Sequence, residues 1–231
     1  DHLGLSLKQN LISLGVDVYS INTKYPTGIY NSICDTNGKR ISYIIDTRGT
    51  DSLKPNDLKE FDSIIKAHDY IVLDGTLSEK IVNYIFKTYK NKKYYVDGVS
   101  TFRVKTFLPH LKEIELFKSN VTEAEHLLDC KKEPEDLVQL LLDKGCKQVV
   151  LSHTELPIVY GTKQKGISHE PIVVRQKITR SNGNGDALFA GIVHCLVAGM
   201  QLKQAVKFGL NMSYQTLGVN TAVDPKIGDL L

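Results

Sequence analysis

From about residue 69 onward, short runs of β-branched and aromatic residues alternate with stretches whose apolar positions recur at helical spacing. A switch back and forth between those two periods predicts strands and amphipathic helices in turn, the pattern of a parallel sheet covered by helices. The predicted strands are 70–73, 94–97, 115–118 and 149–151, and the predicted helices 79–89, 101–111, 122–129 and 135–144. A further strand-like run, EPIVVRQKI, starts at Glu170 and precedes an almost wholly apolar helix from about Ala187 to Ala198, which Gly199 can end. Leu188, Phe189, Ile192, Val193, Leu196 and Val197 cover most of that helix's circumference, so it is expected in the middle of the domain.

Residues 16–46 follow a different pattern. VDVYSI, TGIYNSIC and KRISYIID are three strand-like runs, and DTNG joins the last two. Asn37-Gly38 within it is a strong hairpin signal, so a small antiparallel sheet is predicted, projecting from the main body as a lid. Ahead of it Leu3, Leu7, Leu11 and Leu14 mark a helix, and the chain opens on Asp1-His2 with no methionine, so a further segment is expected upstream.

Composition adds limits. With 42% hydrophobic and 24% charged residues over 231 positions, the chain can bury a sizeable core, and disorder is not expected. No apolar run reaches membrane-spanning length and no export signal opens the chain, so no membrane is expected as a partner and a cytoplasmic location is. The formal charge of +3 is scattered, which is no footprint for nucleic acid. Cys34, Cys130, Cys146 and Cys195 show no paired spacing, which suggests neither a zinc site nor a disulfide framework.

The candidate chemistry lies in RSNGNGDALFAG, residues 180–191. A buried helix that starts on glycines presents unpaired N–H groups and a partial positive charge to whatever approaches, a sound cradle for phosphate. Asp186 stands at its mouth, where a carboxylate serves either as a helix cap or as a base.

SNGNGDALFAG resembles the signature of the ribokinase-like (PfkB) carbohydrate kinases, roughly T-x-G-A-G-D-x-F-x-A/G-G. The resemblance implies a doubly wound, mostly parallel α/β sheet with helices on both faces. It further implies that the amides of Gly183, Asn184 and Gly185 form an anion hole for a migrating phosphoryl group and that Asp186 takes the proton of the acceptor hydroxyl. Asn184 replaces the usual alanine, and Arg180 stands where an acidic residue is common.

Further segments extend the likeness. LFKSNVTEAEHL resembles the family's K-P-N-x-x-E segment, which implies that Asn120 and Glu123 organise magnesium and phosphates through water. The same spacing before an apolar run is also a capping box, and both uses are compatible. VDGVSTFRVKTFLPHL, IDTRGTDSLKPNDL and the tail NTAVDPKI are similar to segments of the family's pseudouridine-specific branch. SHTELP stands where the family carries T-L-G-x-x-G for the nucleotide, which places Ser152 and Thr154 there without the glycines, and Asn211 falls where the family lines the adenine pocket. By position Thr27 and Tyr30 would face the acceptor, although both are also ordinary strand formers. The family's sugar-gripping G-G-x-x-x-N segment is expected upstream of residue 1.

The resemblance thus implies a single kinase domain over 1–231, short of its N-terminal segment, that moves the γ-phosphoryl of ATP to a hydroxyl of a sugar or nucleoside. Its preferred acceptor is the 5′-hydroxyl of pseudouridine. ATP and magnesium are the implied cofactors, with a monovalent cation behind the anion hole as a further candidate, and the lid is the implied contact of a homodimer. Ribokinase-like or fructokinase-like acceptors stay open, as does a non-catalytic nucleotide- or sugar-binding relic of the fold.

Overall fold

The structure is a computed structural model that describes residues 1–35, 40–153, 156–172, 183–219 and 221–230. The chain divides into two compact units, Asp1–Asp69 with Thr76–Lys92, and Tyr70–Gly75 with Lys93–Leu231.

In the first unit, α1 (His2–Ser13) starts under an Asp1 cap, whose carboxylate accepts from the Gly4 amide, and it has no buried residue. Strands β1 (Ile29–Cys34) and β2 (Arg40–Asp46) pair antiparallel with Tyr30 opposite Ile45. The Asn37-Gly38 turn lies outside the described residues. Two of the three runs predicted as lid strands therefore pair, but 16–21 forms no strand. It has the composition of one without a neighbouring strand to bond to among the described residues. Side chains hold it instead: the Tyr19 ring packs 6.1 Å from Phe61, and Lys8 donates to Ser20 Oγ at 3.3 Å. The short helices α2 (Arg48–Asp51) and α3 (Asp62–Ala67) follow, then α4 (Glu79–Thr88), whose Ile81, Val82, Ile85 and Phe86 form the buried stripe its periodicity predicts.

The second unit holds a six-stranded sheet. Strands β3 (Tyr70–Asp74), β4 (Lys93–Asp97), β5 (Ile114–Asn120) and β6 (Gln148–Ser152) run parallel. Strands β7 (Ile158–Thr162) and β8 (Gly166–Glu170) continue it antiparallel, so that spatial order follows chain order. The β7–β8 pair was not anticipated; its signal is the short Lys163-Gln164-Lys165 loop closed by Gly166 at φ +69°. Of the run EPIVVRQKI, Glu170 ends β8, Pro171 and Ile172 are irregular, and the rest lies outside the described residues.

Helices cover both faces, as side-chain parity shows. Tyr95, Leu116, Val150 and Tyr160 point to one face and pack with Leu188, Ile192, Val206 and Leu210 of α7 (Asn184–Val197) and α8 (Leu202–Leu217). On the other face, a Cβ at Gly161 would touch Val138 and Leu142 of α6 (Pro134–Asp143), which follows α5 (Val121–Leu128). The helix predicted at 101–111 is instead a 3-10 segment, Val104–Glu113, because Pro109 inside it lacks the N–H and crowds the carbonyl an α-helix would use. Helix α7 begins three residues before its predicted start. It buries Leu188, Phe189, Ile192 and Cys195 but leaves Val197 44% exposed, so its burial is one-sided rather than all-round. Gly191 and Gly209 let α7 and α8 touch: a Cβ on Gly191 would lie 2.8 Å from the Gly209 Cα. Among the described residues no helix is long and apolar enough to cross a membrane.

Candidate active site

Parallel strands carry ligands at their C-terminal ends, and there this sheet turns polar. In register, Asp74 lies beside Asp97, Asp97 beside Lys118, and Asn120 beside Ser152. Asp97 and Lys118 are two residues beyond Tyr95 and Leu116, so they point to the face that α7 covers.

Helix α7 starts on Gly183 as N-cap, with no side-chain cap bond, and its first internal hydrogen bond runs from the Ala187 amide to the Gly183 carbonyl at 2.9 Å. Helix geometry thereby leaves the amides of Asn184, Gly185 and Asp186 without intrahelical partners; the first two are among the three amides, Gly183, Asn184 and Gly185, expected to bind an anion. Gly183 is required twice over: its φ is +85°, and a Cβ would fall 1.8 Å from the Ala222 carbonyl oxygen. The tail motif thus packs against the N-cap. Gly185 has no positive φ, and a Cβ there would make one tight contact, 3.3 Å from Lys118 Nζ. Asp186, in the first turn, is exposed rather than packed in hydrocarbon, and its charge reaches the Asp97 carboxylate.

Asn120 and Glu123 form the predicted capping box of α5. Asn120 Oδ1 accepts from the Glu123 amide at 2.8 Å, and Glu123 Oε2 accepts from the Asn120 amide at 2.9 Å. Asn120 Nδ2 donates to Glu123 Oε1 at 2.6 Å. Burial pushes the Glu123 carboxyl above its usual range against the pull of these bonds. Each Glu123 oxygen keeps a lone pair, and an amide oxygen with a carboxylate is the hard-oxygen donor set that suits magnesium through its water shell. Among the described residues no group of three or more His, Cys, Asp or Glu is placed to chelate a metal directly.

The other predicted residues are dispersed. Ser152 ends β6 and donates from Oγ to the Ser119 carbonyl at 3.3 Å, Thr154 lies outside the described residues, and Asn211 is exposed on α8. Thr27 precedes β1 instead of lying in it; its amide and hydroxyl donate to the Asp1 carboxylate at 2.8 and 2.7 Å. It lines a cavity of about 630 Å³ within the first unit, together with Lys8, Tyr19 and Ser20. Tyr30 in β1 stacks its ring on Tyr43, centroids 5.7 Å apart, so one face of the ring is already taken.

Sequence reasoning missed the buried pair at the heart of the edge. Lys118 Nζ donates to both oxygens of Asp97, at 3.0 and 2.8 Å, and the two residues are 6% and 2% exposed. Burial raises the Asp97 carboxyl more than the adjacent ammonium lowers it. The available signal was Asp97, a charge that closes β4 directly after the buried run Tyr94, Tyr95 and Val96. Just beyond Asp97, Val99 has φ +49°, a strained backbone for a β-branched residue.

The chain is 25% identical over 233 residues to the pseudouridine kinase of Escherichia coli (strain K12), covering 98% of this chain and 74% of that protein. Its fold superposes on Thermotoga maritima ribokinase with a TM-score of 0.82 at 17% identity, covering 100% of this chain and 77% of the other. Schistosoma mansoni adenosine kinase in complex with 2-fluoroadenosine matches with a TM-score of 0.85 at 16% identity, covering 99% and 74%. Residues 1–226 match the pfkB family carbohydrate kinases, and the chain belongs to that family of phosphotransferases acting on sugars or nucleosides.

Proposed function

We propose that this kinase phosphorylates pseudouridine at its 5′-hydroxyl with ATP, and that the chemistry is carried by the start of α7. The observation that carries the reading is an exposed carboxylate, Asp186, in a glycine-built first turn whose amides have no partners inside the helix. The 5′-oxygen attacks the γ-phosphorus while the bond from that phosphorus to the β,γ-bridging oxygen breaks, so ADP leaves with the bonding pair. The hydroxyl proton passes to the Asp186 carboxylate, and the amides of Gly183, Asn184 and Gly185 stabilise charge on the migrating group. Asn120 and Glu123 would hold magnesium through its waters; the ion, when bound, neutralises charge on the phosphates.

Two features support pseudouridine within the family: the similarity to the Escherichia coli enzyme along nearly the whole chain, and the VDGVS turn after β4. Thr27 and Tyr30 are taken as acceptor contacts. The same reading takes the β1–β2 sheet, which exposes Ile29, Ile33, Ile41 and Ile44, as the contact between two copies.

A panel of acceptors with γ-labelled ATP tests the assignment. Pseudouridine should give the highest kcat/KM, above uridine, adenosine, ribose and fructose. A faster sugar or another nucleoside would overturn the acceptor, and an ATP-dependent melting shift with no transfer to any acceptor would overturn the kinase reading.

A further inference from the structure

We propose that Val99 is an acceptor-contacting residue, held by a strained turn as a hydrocarbon wall against which the C–H face of the acceptor's ribose packs. The inference rests on the kinase reading above and adds to it a specificity-determining contact from the end of β4, apart from Thr27 and Tyr30.

The turn follows Asp97 directly. The Ser100 amide donates to the Gly98 carbonyl, and Val99 between them has φ +49°. A three-residue turn closed in this way, with its central residue at positive φ, is the rarer and more strained hand of γ-turn. Glycine adopts such a φ freely, whereas a β-branched residue there is an outlier. Strain of this kind persists only where the surroundings over-determine it. Here they do: a Cβ on Gly75, just beyond β3, would fall 1.9 Å from the Gly98 carbonyl oxygen, and a Cβ on Gly98 would fall 2.9 Å from Ser119 Cβ.

The fold fixes the backbone of this turn but gains little from the valine side chain. Tyr94, Tyr95, Val96, Asp97 and Gly98 are all buried, and Val99, next in line, is 44% exposed. Stability alone would favour glycine at this φ. An apolar side chain kept there against the backbone preference, and left half in solvent, is accounted for by something outside the core that it touches.

Its surroundings say what that is. The Val99 amide donates to Asp97 Oδ1 at 3.4 Å, the charge of Asp186 reaches the same carboxylate, and a Cβ on Gly98 would lie 3.0 Å from Glu123 Oε2. The turn therefore sits between the proposed base and the capping box proposed to hold magnesium, beside the place where the acceptor hydroxyl reacts. Valine has no polar atom, so it suits the carbon-bound hydrogens that flank that hydroxyl and not the hydroxyls themselves.

The test uses Val99→Gly, which relieves the φ, and Val99→Asn, which tolerates it but puts an amide where the methyl groups were. Neither should lower the melting temperature. Both should raise KM for pseudouridine about tenfold, the loss expected when roughly two CH2-sized apolar contacts go, and titration of pseudouridine into enzyme holding β,γ-methylene-ATP should show the same factor in Kd. KM for ATP and Kd for β,γ-methylene-ATP should stay near the wild type. Wild-type KM for pseudouridine in both variants, or equal losses for pseudouridine and the nucleotide, would overturn the contact and leave a structural turn. A melting temperature well below the wild type in both variants would overturn it as well, because the valine would then serve the fold. Failure of the wild type to phosphorylate any acceptor would instead strike the kinase reading, and this inference with it.

Discussion

At the polar edge of the six-stranded sheet, Asp97, Lys118, Asn120 and Glu123 each hold another, while in the first unit α1 has no buried residue and β1 and β2 leave most of their side chains in solvent. The contrast separates two tasks. Phosphoryl transfer needs donors held still in a dry setting, and a packed sheet and helix supply that. Recognition of one acceptor among many needs a surface that can differ between relatives without disturbing the core, and an exposed sheet supplies that. On the proposed function, the chemistry falls where substitution is costly and the acceptor contacts of the first unit where it is cheap.

Substitutions can break this contrast or sharpen it. The largest effect is expected at Gly183→Ala: a Cβ at φ +85° and 1.8 Å from the Ala222 carbonyl must displace the N-cap, so turnover should fall by at least about 100-fold. Steady-state ADP release measures it, and near-normal turnover would mean the N-cap does not set the site.

Next is a pair of truncations read by denaturant unfolding. Ile192→Ala, in the fully buried core of α7, should cost about 2–5 kcal/mol, whereas Leu7→Ala, on α1, should stay within about 0.5 kcal/mol. Comparable losses would show that α1 is more deeply packed than its 57% exposed Leu7 indicates.

The smallest effect concerns pH. Burial raises Asp97 in the folded state, so the fold favours its protonated form. Its contribution to stability is full below the ordinary carboxylate range and is lost as pH rises through the raised value. Relative to Lys118→Met/Asp97→Asn, wild-type stability should therefore decline as pH climbs above about 4, the ordinary Asp value. Melting curves of both proteins across pH 4–8 check the sign, and a relative gain with rising pH would contradict it.

Much of the fold was legible because local and global signals agree. The alternation from residue 69 onward located four parallel strands, and Asn120-x-x-Glu123 announced the capping box that starts α5. The departures have physical causes. Residues 16–21 have strand composition, but a strand exists only through a neighbour, and composition does not record neighbours. Pro109 turned a periodic helical pattern into a 3-10 segment. In the site, Gly183 and Asp186 stood out by motif, whereas Lys118 looked like one charge in a short strand until register placed it beside Asp97 and under Gly185. Thr27 and Tyr30 were placed by analogy alone, and one of them lies outside the strand it was assigned to.

Asp186, in the first turn of α7, is the proposed base. Single-turnover transfer from γ-labelled ATP to pseudouridine, run with the wild type and Asp186→Asn side by side after both are shown to bind ATP-Mg, tests it most directly. The prediction is label on the 5′-hydroxyl with the wild type and a rate lower by about 100-fold or more with the variant, at equal nucleotide affinity. Equal rates from the two proteins would contradict the account.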